Sequence, residues 1–245
     1  MQKLFQLEGL VRGTVVKRPS KTCKSPYVAD VILDFDKETV ILAHSPALGC
    51  DGLCDVNGII YLSKLPYKEG AVCSHRIELA ENSDGVIIGI NPKLAERIVE
   101  EAIMKNESTY KREKKILNSR FDFVGIQVES KQYFVLEVKT VPICVEPGVA
   151  FFPHGYRKKK GDAVSPRALK HLSDLIEISK DSDAKAIMCY VIQRGDANSF
   201  IPSETDPIYK AKFYQAKDAG VEMRNLFVEW QKDGSCFFKK YAIFS

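Results

Sequence analysis

Two domains of different class are predicted: an all-β barrel or sandwich over residues 1–85, then an α/β domain over residues 86–245. Three observations carry this. The N-terminal part offers short β-branched and aromatic runs between turn residues, with no helical period. From residue 86 onward, apolar runs of strand length alternate with segments whose apolar residues recur at helical spacing. Three of those segments open on a polar cap followed by proline: Asn91-Pro92, Ser165-Pro166 and Asp206-Pro207. The length of 245 residues allows one or two domains. With 45% hydrophobic and 28% charged residues, a largely disordered chain is excluded.

In the first domain the expected strands are Leu10 to Val16, Tyr27 to Phe35, Thr39 to Ala43, Ile59 to Leu62 and Val72 to Leu79. Pro19, Ser25-Pro26, Asp51-Gly52, Asn57-Gly58 and Glu69-Gly70 break them apart. In the second, Gly85 to Ile90 reads as a buried strand. The helix after Asn91-Pro92 carries Leu94, Ile98, Ala102 and Ile103. An Asn cap accepts an orphan N–H, and proline at the first helical position has no N–H to orphan. Ser165-Pro166 opens a helix with Leu169, Leu172 and Ile176 on one face. Asp206-Pro207 opens another that stops near Gly220. Strands are expected at Phe121 to Val128, Tyr133 to Val141, Ala186 to Ile192 and Val221 to Val228.

The chemistry concentrates on two of those strands. If they form a hairpin turning at Ser130-Lys131, Asp122 faces Lys139 and Glu137 faces Val124. The period of two then puts Asp122, Glu137 and Lys139 on one face, with Phe121, Phe123, Phe134, Leu136 and Val138 on the other. Two carboxylates and a lysine on a mostly apolar face are costly unless paired or bound to a metal. Their oxygens suit a hard cation such as Mg²⁺, which could polarise a phosphoryl oxygen and activate water. The same spacing equally fits a salt-bridged triad at a sheet edge.

The Asp122…Glu137-Val138-Lys139 pattern resembles the signature of the PD-(D/E)xK nuclease superfamily. Further segments resemble, in order, those of the sugar fermentation stimulation protein A (SfsA) family. They are His44-Ser45-Pro46, Ile90-Asn91-Pro92, Ser119-Arg120-Phe121-Asp122-Phe123, Glu137-Val138-Lys139-Thr140-Val141, Phe151-Phe152-Pro153, Lys170-His171-Leu172-Ser173-Asp174-Leu175, Val191-Ile192-Gln193-Arg194-Gly195-Asp196, Phe200-Ile201-Pro202 and Gly220-Val221-Glu222. The resemblance implies an N-terminal OB-like barrel, a C-terminal PD-(D/E)xK nuclease-like domain, and DNA binding. It makes Asp122 and Glu137 ligands of Mg²⁺ or Mn²⁺, joined by the Val138 carbonyl, and Lys139 the catalytic lysine. Glu113 falls where the family has a further acidic residue, at a shorter spacing. His171 and Gln193 are additional candidates near the site. Arg120, Arg157, Lys158, Lys159 and Lys160 are the candidates for the DNA backbone.

Two departures stand out. His154-Gly155 replaces the family's usual Asp-Ala, and Arg157 to Leu169 forms a longer connection before Arg167-Ala168-Leu169-Lys170-His171-Leu172. The expected function is therefore a metal-dependent nuclease acting on DNA, with RNA as a second polymer. The alternative is a non-catalytic DNA-binding regulator that keeps the nuclease fold. No phosphate loop or dinucleotide fingerprint supports a sugar-metabolising enzyme.

Other signals are weaker. Lys plus Arg is 36 against 32 for Asp plus Glu, and a net +4 names no partner. Clustering says more: Lys111-Arg112-Glu113-Lys114-Lys115 and Arg157-Lys158-Lys159-Lys160 could each meet phosphates, or be solvated surface. Seven cysteines, an odd number in a large chain, indicate reduced thiols. Cys50, Cys54, Cys73 and His75 lack standard zinc spacing, and structural zinc is not expected. Phe5, Tyr27, Phe35 and Tyr61 are expected in the barrel core rather than as base-stacking platforms. No run reaches the roughly 18 apolar residues of a membrane helix, and Met1 to Glu8 has no apolar signal core. An intracellular protein without membrane partners is expected.

Overall fold

A computed structural model describes every residue except Gly49, Tyr156, Lys158, Lys160, Ser182 and Ser245. It is mostly β-structure with few helices, and it divides into two compact units. The first comprises Met1–Leu94, Gln193–Asp196 and Val228–Phe238. The second comprises Ala95–Ile192, Ala197–Phe227 and Lys239–Ser245. The division expected at residue 85 thus differs in two ways: the first unit runs on to Leu94, and it takes in two later segments.

In the first unit, β2 (Val11–Lys17), β3 (Val28–Leu33), β4 (Asp36–His44), β5 (Ile59–Lys64) and β6 (His75–Glu81) match the five expected strands. They close into a ring. β2 pairs antiparallel with β3 and β5, β3 with β4, and β5 with β6, while β4 and β6 meet in parallel at Ala43↔His75 and His44↔Arg76. Inside lie Val15, Val31, Ile60, Leu62 and Ile77, all fully buried, with Cys50 and Cys54. Tyr61 joins the buried set, whereas Tyr27 and Phe35 are exposed, so the expected core role fails for those two. The strand expected at Gly85 to Ile90 is β7 (Ile87–Gly89), which pairs antiparallel with β6 and, at Ile87↔Trp230, with residue 230 in this unit. β1 (Gln2–Gln6) was not expected. It pairs with residues 235–238 of β16 (Ser235–Ile243), a partner more than 200 residues away that local pattern cannot reveal.

The second unit carries a sheet ordered β15-β13-β10-β9-β8. β15 (Glu222–Trp230, through Phe227 in this unit), β13 (Ala184–Ile192) and β10 (Tyr133–Val141) run parallel. β9 (Ser119–Gln127) and β8 (Ser108–Ile116) continue antiparallel. A second sheet holds β11 (Cys144–Glu146), β12 (Val149–Phe152) and β14 (Ser199–Pro202).

The helices start where their caps predict. Asn91 Oδ1 accepts the Lys93 N–H at 3.0 Å ahead of α1 (Pro92–Val99), which runs into a π-helical stretch at Glu100–Met104 and a last turn, α2 (Lys105–Glu107). Ser165 accepts the Ala168 N–H ahead of α3 (Pro166–Ile178), and Asp206 accepts the Tyr209 N–H ahead of α4 (Pro207–Asp218). Each such cap stabilises its helix by about 1 kcal/mol. Gly220, at φ +91°, supplies the left-handed stop after α4. Leu172 and Leu175 of α3 and Tyr209 and Phe213 of α4 are fully buried against Met188, Tyr190 and Ile192 of β13. Burying each such side chain contributes roughly 1.5–3 kcal/mol. Among the described residues, no helix is long and apolar enough to cross a membrane.

Candidate metal centre on the central hairpin

The β9–β10 hairpin forms as expected but two residues out of the expected register. Tyr133 faces Ile126, Val135 faces Val124, and Leu136 faces Phe123. Val124 therefore opposes Val135 rather than Glu137, and the ladder ends where Asp122 and Glu137 follow. The turn is longer than a two-residue one: the Gln127 N–H reaches the Gln132 carbonyl, and Lys131 takes φ +59°. Beyond the ladder, Asp122 Oδ2 accepts the Val138 N–H at 2.8 Å, so a side chain replaces the missing strand pairing.

On the other side of β9, Arg112 faces Phe123 and Lys114 faces Phe121, which brackets Glu113 opposite Asp122. Glu113 has φ +52°, a conformation uncommon outside glycine, and regular alternation fails there. The expected face of Phe121 is also corrected. It is fully buried in the same cluster as Val135, Met188 and Leu172, not on the face of Phe123. Nearby, Gly125 is required: a Cβ there would lie 2.0 Å from the Thr109 carbonyl oxygen of β8.

Four of the expected site residues come together. Glu137 is 2% exposed, and its Oε1 is bonded by Lys139 Nζ and by His171 Nδ1. Lys139 Nζ and His171 Nδ1 are themselves 3.3 Å apart. Glu137 Oε2 is buried with no hydrogen-bond partner among the described residues. Burial pushes the Asp122 carboxyl up to about 7, the charge of Glu137 adds to the rise, and the Val138 N–H and Lys139 oppose it. Burial also pushes on Glu137, but Lys139 and His171 outweigh it and leave its carboxyl below the usual range. The two neighbouring carboxylates are thus driven apart: one anionic, the other inclined to hold a proton.

α3 delivers the histidine. His171 and Asp174 are both buried and lie three residues apart, on one face of the helix. Asp174 Oδ2 accepts the Ser119 hydroxyl at 2.5 Å, and the Phe121 ring packs 5.8 Å from the His171 ring. The Ser119–Asp174 contact had no assigned role in the sequence. The helical spacing from His171 and the position of Ser119 three residues before Asp122 were the available signals.

The remaining candidates are placed differently. Glu113 is about half exposed and pairs with Arg120 at 3.5 Å. Gln193 is buried in the first unit, where its carbonyl accepts the Gly89 N–H at 2.9 Å. Arg157 donates to the carbonyls of Asp162 and Thr205, so its guanidinium is already engaged. Lys159 is exposed, and Lys158 and Lys160 lie outside the described residues. Exposed His154 packs edge-on, 5.7 Å from the ring of Phe151.

A hard divalent cation fits these donors. Glu137 offers a buried, unpartnered oxygen, and a positive charge would relieve the repulsion that raises Asp122. No group of three or more His, Cys, Asp and Glu side chains is gathered as a metal cluster among the described residues.

A family model described as "Sugar fermentation stimulation protein RE domain" matches residues 90–234, more than half of the chain. A sugar fermentation stimulation protein homolog from Synechocystis is 32% identical over 241 residues, covering 91% of each chain. One from Brucella ovis is 34% identical over 225 residues, covering 87% of this chain and 86% of the relative. Among solved structures, that of Pyrococcus furiosus SfsA in complex with Ca²⁺ superposes with a TM-score of 0.79 at 22% identity, covering 98% of both chains, which establishes a shared fold. The chain therefore belongs to the sugar fermentation stimulation protein family.

Proposed function

We propose that the protein is a DNA-binding, metal-dependent phosphodiesterase whose site is Asp122, Glu137, Val138 and Lys139, on a PD-(D/E)xK-like second unit. The observation that carries this is the buried Glu137 carboxylate. One oxygen is held by Lys139 and His171 while the other is unpartnered, next to a second carboxylate whose protonation it raises. The Ca²⁺ in the Pyrococcus furiosus relative's complex supports a hard divalent cation as the ligand class. The ring of β2 to β6, with its parallel β4–β6 contact, supports reading the first unit as an OB-like barrel that binds nucleic acid.

Bound Mg²⁺ or Mn²⁺ would supply Lewis-acid stabilisation of the phosphoryl oxygens and acidify a bound water. Asp122, Glu137 and the Val138 carbonyl would hold it. The Val138 N–H fixes one oxygen of Asp122, and the other would be available to the cation. His171 locks the Glu137 carboxylate from the helix side. Lys139, anchored on the same carboxylate, would supply a positive charge to steady the developing charge on the phosphoryl oxygens.

The test is incubation with labelled single- and double-stranded DNA and RNA, with Mn²⁺ and with EDTA. Cleavage should require the cation and disappear in Asp122→Ala and Glu137→Ala, while binding is kept or improved because a negative charge near phosphate is lost. Full activity in EDTA or in either variant overturns the metal mechanism. Binding without cleavage under every condition would identify a non-catalytic binder.

A further inference from the structure

The basic run of β8 has no part in the site so far described, and its placement gives it one. β8 ends the sheet order of the second unit, with β9 its neighbour on one side. Its pairings set Lys111 opposite Val124, Lys114 opposite Phe121 and Lys115 opposite Arg120, so these lysines flank the stretch of β9 that holds Asp122. Not every cation here is equivalent. Arg112 is bound to Glu96 at 2.6 Å and Glu100 at 3.1 Å, and its guanidinium lies over the Phe123 ring. Arg120 is paired with Glu113. Lys111, Lys114 and Lys115 are all exposed, and among the described residues none has an ion-pair partner. Arg112 of β8 and Arg120 of β9 are thus spent on the protein, while the three lysines of β8 are left to solvent.

We propose that Lys111, Lys114 and Lys115 form a phosphate-contacting track that carries a nucleic-acid backbone along β8 toward the Asp122 site. The proposal rests on the functional reading above and deepens it by naming the surface that receives the polymer. At roughly 3.3 Å per residue, Lys111 to Lys115 spans about 13 Å of strand. That length lets three flexible side chains reach neighbouring phosphates of one strand. Flexible point charges on an open edge suit a repeating polyanion, neutralising phosphates without reading bases. The competing role is an edge guard, since lysines on an unpaired edge also block sheet-to-sheet association.

A salt titration separates the two. Binding of the full-length protein to a labelled DNA duplex is measured by fluorescence anisotropy in EDTA over a series of KCl concentrations. The comparison is wild type against Lys111→Gln/Lys114→Gln/Lys115→Gln and the corresponding triple Lys→Arg variant. If all three lysines contact phosphate, the Gln variant's slope of log affinity against log salt should flatten by about 2–3 units. Its affinity at 0.1 M salt should fall about 100-fold or more, and the Arg variant should stay close to wild type. Gln variants that fold and bind with the wild-type slope overturn the track. If they also self-associate in sedimentation, the edge-guard role takes its place. Because the slope is read in EDTA, a failed metal mechanism leaves this result standing, and an unchanged slope leaves the metal mechanism untouched. Wild-type protein that binds no duplex overturns both the track and the DNA reading.

Discussion

Asp122→Asn should make the metal-free protein more stable above neutral pH, although it removes a residue of the candidate site. The folded carboxyl titrates near 7, against an ordinary value of 3.8. Between those values the folded state binds more protons than the unfolded state, so stability falls as pH rises through the window. Each tenfold change in proton affinity corresponds to about 1.36 kcal/mol, so a rise from 3.8 to about 7 sets an upper bound of roughly 4 kcal/mol at pH 8. Asn keeps an oxygen to accept the Val138 N–H and has the same shape, so it removes the charge and little else. Allowing for relaxation and water access, we expect a gain of about 2–4 kcal/mol at pH 8. For a chain of this size that is roughly 5–15 °C in Tm. Calorimetry in EDTA across the acid-to-alkaline range should show wild type losing stability as pH rises from about 4 to about 7 and the variant much flatter, the two converging as pH falls toward the ordinary value of 3.8. Glu137 acts on the other arm. Its carboxyl is held below the usual 4.5, so its contribution is present above that value and lost on acidification below it. A variant that melts at or below wild type at pH 8, or follows the same pH slope, would refute the claim that Asp122 carries a buried, unfavourable charge.

Three further outcomes are expected. Mn²⁺ or Mg²⁺ should raise the Tm of wild type at pH 8 but not that of Asp122→Ala or Glu137→Ala; equal shifts in all three would place the cation elsewhere. Asp174→Ala should cost about 1–3 kcal/mol in denaturant unfolding, because the buried Ser119 hydroxyl loses its acceptor; a loss under about 0.5 kcal/mol would mean the contact is not formed in solution. Replacing Lys158, Lys159 and Lys160 with Ala should weaken DNA binding alike on all sequences and flatten the salt slope by roughly 2–3 units if all three touch phosphate; unchanged affinity and slope would remove that loop from the path.

What the sequence made legible was local. The three cap-proline helix starts follow from chemistry within four residues, and the five strands of the ring follow from β-branched runs between turns. What it hid was non-local. Nothing near Gln2 announces a partner at Phe238, and Ile87 to Gly89 reads like any buried strand whichever neighbours it takes. The site divides along the same line. Glu137 and Lys139 were recognisable together because a two-residue period puts them on one face of their strand, and Asp122 because a hairpin brings its strand alongside. The register itself depended on the turn at Gln127 to Gln132, and the face taken by Phe121 departs from simple alternation. His171 was a candidate only by its neighbours in the chain. Its grip on Glu137 needed α3 to be laid across β10.

The salt-bridged triad that the spacing also allowed describes only half of the arrangement. Lys139 and Glu137 do pair, and His171 joins them. A purely structural triad, however, would satisfy its charges, since a buried ion group stabilises a fold only when its remaining hydrogen-bonding capacity is met. Here Glu137 Oε2 has no partner among the described residues, and Asp122, whose charge burial already makes unfavourable, stands beside a like charge. Well-packed apolar residues of similar volume would serve the core better. Local conflict of this kind, in a unit whose caps and core otherwise agree with its sequence, is the pattern expected where a ligand completes the site. That is why the stability of Asp122→Asn and the cation dependence of wild type belong together. The charge that burdens the metal-free protein is the one a cation would use, so removing it should stabilise the empty site and abolish the cation's effect on Tm.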